Sequence, residues 1–279
     1  MQRPNRPGQI LALPALVWTL ACFVLPLCVM LAVSLWTRTP QGIEHTWTMA
    51  NYAAFFAKAA YFQGLTNSLE ITAIVTVLSV VLAYPFAWIL AFQVPERWQR
   101  AALLAAILPF WTSYVVRSYS WLLVLSKNGV LNRTLALVDA GPLDIAASRT
   151  ATVTGFVHFF VMLLTLTIYA NLKQLPPNYA RAAADLGASR FQTFRHIILP
   201  LTLPGIMVGG FLTFVLTLGD YITPQILGGN NELVLPQIIM LQISRRADFP
   251  VASALSLILM VVITLAYLAV ARWLKSDRV

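Results

Sequence analysis

Arg117 and Asp220 are the two formally charged residues that lie well inside long apolar stretches of this sequence. A charge at such a position is costly, and it usually faces the interior of a helix bundle or a water-filled path. Counted from the starts of their apolar runs at Ala101 and Gly205, both lie roughly 22–24 Å along a helix. Equal depth allows an ion pair between them. If Arg117 instead extends toward the nearer surface, Asp220 is left unpaired.

Asp220 therefore has two interpretations. As a structural group it neutralises Arg117 or caps a broken helix end before Pro224. As a functional group it lines a path and attracts a cation. Aromatic side chains nearby favour the second interpretation, because aromatic faces attract ammonium groups, although Trp and Tyr at this depth also form interfacial belts. These aromatic residues are Trp111, Tyr114, Tyr119, Trp121 and Tyr221. The candidate path residues are Asp220, Tyr221, Arg117, Trp111 and Tyr114.

The sequence predicts no catalytic or metal site. It contains no nucleophile–base signature and no His, Cys, Asp or Glu cluster with metal-ligand spacing. We expect Glu70 to be solvated at a helix end and the lone His158 to be a satisfied residue of the bundle. The phosphate-binding pattern G-x-x-x-x-G-K-[ST] is also absent, so ATP would have to be bound by another chain.

The composition indicates a membrane protein. Of the 279 residues, 59% are hydrophobic and only 10% are charged, and the mean hydropathy is +0.74. A soluble domain carries roughly a quarter charged residues. The net charge of +9 does not indicate nucleic-acid binding, because Lys and Arg are scattered through short connections and form no stripe with interleaved aromatics.

Stretches of about 20 apolar residues are long enough to span a bilayer, and each must be helical to satisfy its backbone there. The sequence predicts six spans, at Ile10–Leu35, Ser68–Phe92, Ala101–Leu125, Ala151–Leu172, Gly205–Leu227 and Val251–Trp273. The first run is too long for the apolar core of a signal peptide, so we expect it to be retained. The prediction is a single all-α membrane domain over residues 1–279.

The basic residues predict the orientation. With both termini in the cytoplasm, the inner segments hold eleven basic residues: Arg3, Arg6, Arg97, Arg100, Lys173, Arg181, Arg190, Arg195, Arg272, Lys275 and Arg278. The outer segments hold seven: Arg38, Lys58, Lys127, Arg133, Arg149, Arg245 and Arg246. Because basic loops stay on the cytoplasmic side, this bias favours cytoplasmic termini.

The outer connections contain three short elements. We expect an interfacial helix near residues 51–60 and a short helix near 130–138. Leu233–Ile243 is apolar but too short to span, which predicts a re-entrant or interfacial segment.

The connection between spans four and five is too long and too apolar for a simple loop. Pro176 and Pro177 should end the incoming helix, and Asn178 can cap a helix over Tyr179–Leu186. Gly187 stands where a helix end favours a left-handed residue. Ser189 can then cap a second helix over Arg190–Ile198, which we expect to stop before Pro200. The prediction is a helix–turn–helix at the membrane surface.

This connection resembles the ATPase-docking loop of type I binding-protein-dependent ABC importers. The family motif runs Glu-Ala-Ala, then Gly, then Ile, Leu and Pro, and the matching residues here are Ala182, Ala183, Gly187, Ile198, Leu199 and Pro200. Arg181 departs from the pattern, because the family usually has Glu there. Two further segments resemble the narrower spermidine/putrescine-type branch: Ile107–Leu125 with NGVLN at 128–132, and LGDYITPQILGG at 218–229.

The resemblance implies a transport subunit and not an enzyme. It implies a cytoplasmic coupling helix within the docking loop, about residues 173–204, and half of a path for a small polar solute, expected to be a cation such as a polyamine. The docking residues it implies are Arg181, Ala182, Ala183, Asp185, Leu186, Gly187, Ala188, Ser189, Arg190 and Phe194. This chain would bind no cofactor, and ATP and Mg²⁺ would lie on partner ATPases.

The implied assembly also includes a second permease, expected to be non-identical, and an extracytoplasmic solute-binding protein. The implied location is the bacterial inner membrane, with lipid around the spans and no nucleic acid as a partner. Three alternatives stay open at this point: the same importer class with another small polar cargo, a stand-alone secondary transporter or channel, and a structural or insertase-like subunit.

Overall fold

The computed structural model describes residues 6–176, 178–229 and 232–276, and this part of the chain is mostly helical. The helices of the first half are α1 (Arg6–Thr19), α2 (Leu25–Ser34), α3 (Ala50–Ala57), α4 (Ala59–Trp88), α5 (Glu96–Ile107), α6 (Tyr114–Leu125) and α7 (Val130–Ala136). The helices of the second half are α8 (Arg149–Lys173), α9 (Asn178–Asp185), α10 (Arg190–Thr193), α11 (Leu199–Gly219), α12 (Ile222–Leu227), α13 (Leu235–Ser244) and α14 (Phe249–Ser276).

The prediction of an all-α membrane protein is confirmed. Within the described residues, five helical segments are long and apolar enough to cross a bilayer: Leu13–Ser34, Ala59–Gln93, Arg149–Lys173, Arg190–Gly219 and Phe249–Arg272. The three short elements predicted for the connections are present as α3, α7 and α13. The sequence did not predict the antiparallel hairpin of β1 (Thr37–Thr39) and β2 (Gly42–Glu44), in which Thr37 is opposite Glu44.

The predicted third span, Ala101–Leu125, is wrong as one continuous helix. It is divided into α5 and α6 by a 3₁₀ turn at Leu108–Trp111 and two extended residues, Thr112 and Ser113. Pro109 explains the division, because it has no N–H to donate within a helix and its ring crowds the preceding turn.

Two predictions around the fifth span are also wrong. The helix over Arg190–Ile198 does not stop before Pro200 but continues through a π-helical turn at Phe194–Ile198 directly into α11. In this turn the N–H of Leu199 donates to the carbonyl of Phe194, five residues back, so the helix is rearranged just before the proline and is not ended by it. At the other end, α11 stops at Gly219 and α12 begins only at Ile222, so the predicted span Gly205–Leu227 is not one continuous helix; it is broken before Pro224, as one interpretation of Asp220 required.

Contacts between Cα atoms divide the chain into two units, one of residues 6–62 and 238–261 and the other of 63–237 and 262–276. A single domain over residues 1–279 stays a prediction. In the first unit, Asn51 of α3 donates from Nδ2 to the carbonyls of Ser34 (2.7 Å) and Trp36 (2.8 Å), which fixes α3 to the end of α2. The Nε2 of Gln242 in α13 donates to the hydroxyl of Tyr61 at 3.1 Å.

The second unit has its core between α4, α8 and α11. Small side chains of α4 and of the π-helical turn that follows it (Ile89–Gln93) pack against large ones of α8 and α11. The cluster is formed by Ala83, Ala87, Ala91, Leu164, Ile168, Leu172 and Ile206. Gly209 brings α11 close to α8, since a Cβ at this position would lie 2.8 Å from Leu164 and 3.4 Å from Thr167. A side chain larger than hydrogen at position 209 would therefore push α11 and α8 apart.

Gly155 provides a test of the packing between α8 and α12. A Cβ at Gly155 would lie 2.4 Å from the Cδ1 of Leu227, which is fully buried and has little room to move. We expect Gly155→Ala to lower the free energy of unfolding by about 1–3 kcal/mol, the usual cost of overpacking a core. The thermal unfolding midpoint of the purified protein in detergent measures this.

Gly210→Ala is the matched control for that variant. It is also a buried glycine inside a helix, but its Cβ would meet neighbours only at 3.6 Å and 3.8 Å, which is ordinary contact. Ala has the higher helix propensity, so Gly210→Ala should leave the midpoint unchanged or raise it. Equal midpoints for the two variants would contradict the packing described here.

Candidate functional site

Arg117 lies at the break between α5 and α6. Its Nη1 donates to the carbonyl of Pro109 at 3.1 Å, and the hydroxyl of Thr112 donates to the same oxygen at 2.7 Å. The guanidinium lies over the rings of Tyr114 (5.2 Å) and Phe159 (4.5 Å), and Arg117 is only 9% exposed. In an apolar surrounding a carbonyl released by a broken helix needs a donor. Arg117 supplies one at this break.

Asp220 lies at the break between α11 and α12 and performs the complementary task. One of its carboxylate oxygens accepts the N–H of Ile222 at 2.8 Å, and the other accepts the N–H of Thr223 at 3.3 Å. These are first-turn donors that α12 itself leaves without a partner. Asp220 thus caps α12, which is one of the two structural arrangements that the sequence analysis left open.

Tyr114 connects the two breaks. Its hydroxyl donates to the carboxylate of Asp220 and contacts the hydroxyl of Thr223. Its ring makes a cation–π contact with the Arg117 guanidinium. Tyr114 therefore lies between the two residues for which the sequence analysis considered a direct ion pair. Among the described residues the ion pairs are Lys127–Asp144 and Arg149–Glu70, and neither involves Arg117 or Asp220.

Two expectations for the remaining polar residues are corrected. Glu70 is not merely solvated, because its carboxylate pairs with the guanidinium of Arg149 at 2.5 Å. His158 is not fully satisfied, because its buried Nδ1 has no hydrogen-bond partner within the described part of the chain. The His158 ring instead packs edge-to-face on Trp121, with ring centroids 5.3 Å apart.

Two cavities adjoin these charges. A groove of about 510 Å³ lies beside the helix break, with a mostly apolar lining formed by Leu108, Pro109, Thr112, Val116, Arg117, Ser120, Trp121, Val124 and His158. The cavity beside Asp220 has only about 10 Å³, room for about one water molecule. Ser68, Thr72 and Thr217 line it. The cavity described at Asp220 is therefore too small for a larger solute.

The other candidate path residues lie around Tyr114 with different exposure. Tyr221 is half-buried, whereas Trp111 in the 3₁₀ turn is 79% exposed. The structure brings Asp220, Tyr114 and Arg117 together. Trp111 is not among the described contacts of the Asp220 carboxylate. Sequence reasoning missed Phe159 and Thr223, which complete the contacts of Arg117 and Asp220. Phe159 carries no spacing signal, because it is one of many apolar residues in the predicted span Ala151–Leu172.

The predicted helix–turn–helix is present between α8 and α11. Gly187 follows α9 with φ +80°, the left-handed conformation that the sequence analysis predicted. Ser189 caps α10 through a reciprocal pair of hydrogen bonds, in which its hydroxyl accepts the N–H of Gln192 at 3.2 Å and the Gln192 side chain accepts the N–H of Ser189 at 2.7 Å.

Most of the predicted docking residues lie at the surface. The exposed ones are Arg181, Ala182, Asp185, Leu186, Gly187, Ser189 and Arg190. Leu186 is a large apolar side chain that the described residues leave 89% exposed. Ala183 is buried, Ala188 is half-buried, and Phe194 is turned toward α4. The surface available to another protein is therefore α9 and the turn that follows it.

Comparison with known proteins covers nearly the whole chain. Residues 5–277 match the family model described as "Binding-protein-dependent transport system inner membrane component". The chain is 31% identical over 272 residues to the spermidine/putrescine transport system permease protein PotB of Salmonella typhimurium (strain SL1344), covering 96% of this chain and 94% of that one. It is 36% identical over 235 residues to the inner membrane ABC transporter permease protein YdcU of Escherichia coli (strain K12), covering 80% and 74% respectively.

A solved structure shares the fold. It is the crystal structure of a bacterial alginate ABC transporter in complex with an alginate pentasaccharide-bound periplasmic protein. One of its chains superposes with a TM-score of 0.76 over 94% of this chain and 91% of that chain, at 16% sequence identity. At this identity the similarity concerns the fold.

Proposed function

This chain belongs to the family of binding-protein-dependent transport system inner membrane components, and from that premise we propose that it forms half of the translocation path for a small polar cation such as a polyamine. As a member of this family it is a permease subunit of an ABC importer, and ATP hydrolysis takes place on a separate chain. The proposal for the cargo rests on the similarity to spermidine/putrescine permeases along nearly the full length of this chain.

The chemistry around Asp220 suits a cation. The carboxylate is half-buried at a helix break and is accompanied by the half-buried rings of Tyr114 and Tyr221. The Arg117 guanidinium already lies over two aromatic faces, which is the contact that an ammonium group of a substrate would make. The proposed path residues are therefore Asp220, Tyr221, Tyr114, Arg117 and Trp111.

The chain supplies only part of a path. The cavity at Asp220 admits about one water molecule, and the groove at Arg117 is open to the outside of the subunit. A second permease must cover this face to enclose a solute. We propose that the second permease is a different protein, as in the branch that the sequence resembles.

The exposed surface of α9 and its turn is the proposed docking site for an ATPase, which binds ATP and Mg²⁺. Placing this surface in the cytoplasm agrees with the distribution of basic residues and puts both termini on the same side of the inner membrane. An extracytoplasmic binding protein then delivers cargo from the other side. ATP-driven closure of the ATPases draws the docking segments together, and transport follows because cargo binds the two resulting states with different affinity.

The small molecule held by the cognate binding protein tests the proposed cargo. We expect the purified binding protein to release spermidine or putrescine on denaturation, identified by mass spectrometry. The same loaded protein should stimulate ATP hydrolysis by the assembled complex. An anion or a sugar in its place would contradict the polyamine proposal and leave the importer class intact.

A further inference from the structure

Phe194 belongs to the predicted docking residues, yet its ring does not lie on the exposed docking surface. It packs edge-to-face against Tyr84 and Trp88 of α4, with centroid distances of 5.7 Å and 5.5 Å and interplanar angles of 77° and 85°. Trp88 in turn packs on Phe92 at 4.7 Å. Edge-to-face rings at these distances attract one another beyond the area they bury. Phe194 is thus an attachment point between the docking segment and α4.

The backbone at Phe194 makes a second connection. Phe194 is the first residue of the π-helical turn, and its carbonyl accepts the N–H of Leu199, the first residue of α11. The segment from Arg190 to Gly219 is therefore continuous helix, so a displacement of α10 is passed directly to α11 and to the break at Asp220.

Tyr84 also links α4 directly to α11. Its hydroxyl forms a hydrogen bond of 3.3 Å with the hydroxyl of Thr202 in α11. The side chains of Tyr84, Trp88, Ile198 and Leu199 also pack on the buried cluster between α4, α8 and α11. Phe194 thus lies between an exposed surface on one side and the core of the second unit on the other.

We infer that Phe194 is a positioning residue that transmits the movement of an ATPase-bound docking segment to α4, so that ATP hydrolysis is coupled to transport. This inference rests on the proposed function. Exposed residues such as Leu186 hold the ATPase, whereas Phe194 passes the motion on. The two roles predict different defects, because loss of docking removes the ATPase and loss of transmission leaves it bound and hydrolysing ATP without moving cargo.

The test uses the complete complex of both permeases, ATPase and binding protein in proteoliposomes. Phe194→Leu keeps an apolar side chain but removes both ring contacts. We expect the ATPase to stay bound and the amount of cargo moved per ATP hydrolysed to fall about tenfold, because two aromatic contacts are lost. Phe194→Tyr retains the ring and should restore the ratio. Phe86→Leu, at a 56% exposed phenylalanine of the same helix α4, should leave the ratio unchanged.

Trp88→Leu removes one of the two ring contacts of Phe194 and should give a smaller defect of the same kind. The double variant Phe194→Leu/Trp88→Leu should be little worse than Phe194→Leu alone, since Phe194→Leu already removes the contact with Trp88. Loss of ATPase binding in Phe194→Leu, or an unchanged ratio, would overturn the inference. A wild-type complex that hydrolyses ATP without moving any solute would instead contradict the proposed function, and the inference with it.

Discussion

Leu186→Asp is expected to reduce the affinity of the permease for its ATPase by at least about 30-fold, since loss of a central apolar anchor costs about 2 kcal/mol or more. Leu186 is a large apolar side chain, 89% exposed on the turn after α9, and a charge there cannot enter an apolar pocket on a partner. Co-purification of the complex from membranes, or titration of detergent-solubilised permease with ATPase, measures the change.

Leu137→Asp is the matched control, because Leu137 is 85% exposed and lies just after α7. This connection is predicted on the outer side of the membrane, away from the ATPase. It should leave ATPase binding unchanged. A point variant tests docking more specifically than deletion of residues 181–195 would. The deletion would also remove part of the helix that is continuous with α11. Equal ATPase binding by the Leu186→Asp protein and the wild type would contradict the docking surface.

Asp220→Asn is expected to lower polyamine uptake by about tenfold or more while leaving the complex assembled. Asn keeps one side-chain oxygen that can accept the N–H of Ile222, the shorter of the two capping hydrogen bonds, but the negative charge is lost. Hydrogen bonds to a charged group contribute about 1.5–3 kcal/mol, and that contribution to cation binding disappears. Initial rates of labelled spermidine uptake measure this, with the amount of assembled complex as reference.

Asp220→Ala separates capping from charge. It removes both, and loss of a helix cap costs about 0.5–2 kcal/mol, so we expect lower thermal stability as well as lower uptake. If Asp220→Asn transports like the wild type and Asp220→Ala is only less stable, Asp220 is a helix cap and no part of the path.

The features that the sequence predicted correctly have local causes. The apolar runs identified the long helices because bilayer thickness sets their length. Gly187 and Ser189 identified the turn between α9 and α10, because a left-handed residue and a capping box are defined within a few residues. The family resemblance of the same segment is supported by the match over residues 5–277.

The features that were missed depend on which way a side chain points. Arg117 and Asp220 lie at similar depth, but depth does not fix the direction around the helix, and each charge satisfies a broken backbone end with Tyr114 between them. The apolar run over Ala101–Leu125 concealed the break, because hydropathy does not register the N–H that Pro109 lacks. Phe194 was placed on the docking surface because sequence spacing does not show that its ring faces α4.

The alternatives from other classes are removed by family membership. The chain is a subunit of an ABC importer and not a stand-alone transporter or insertase. The cargo within the importer class stays a proposal, and so do the docking and path residues, the identity of the second permease and the orientation in the membrane. Asp220 and the neighbouring rings favour a cation for a chemical reason independent of the relatives.

ATP-dependent accumulation of labelled spermidine tests the central claim most directly. The reconstituted complex is placed in proteoliposomes with loaded binding protein on one face and ATP on the face that carries α9. The account predicts accumulation on the ATP side that stops when the ATPase is omitted or ATP is replaced by a non-hydrolysable analogue. Equal movement of solute by the permeases alone, or transport driven only by ATP on the opposite face, would contradict it.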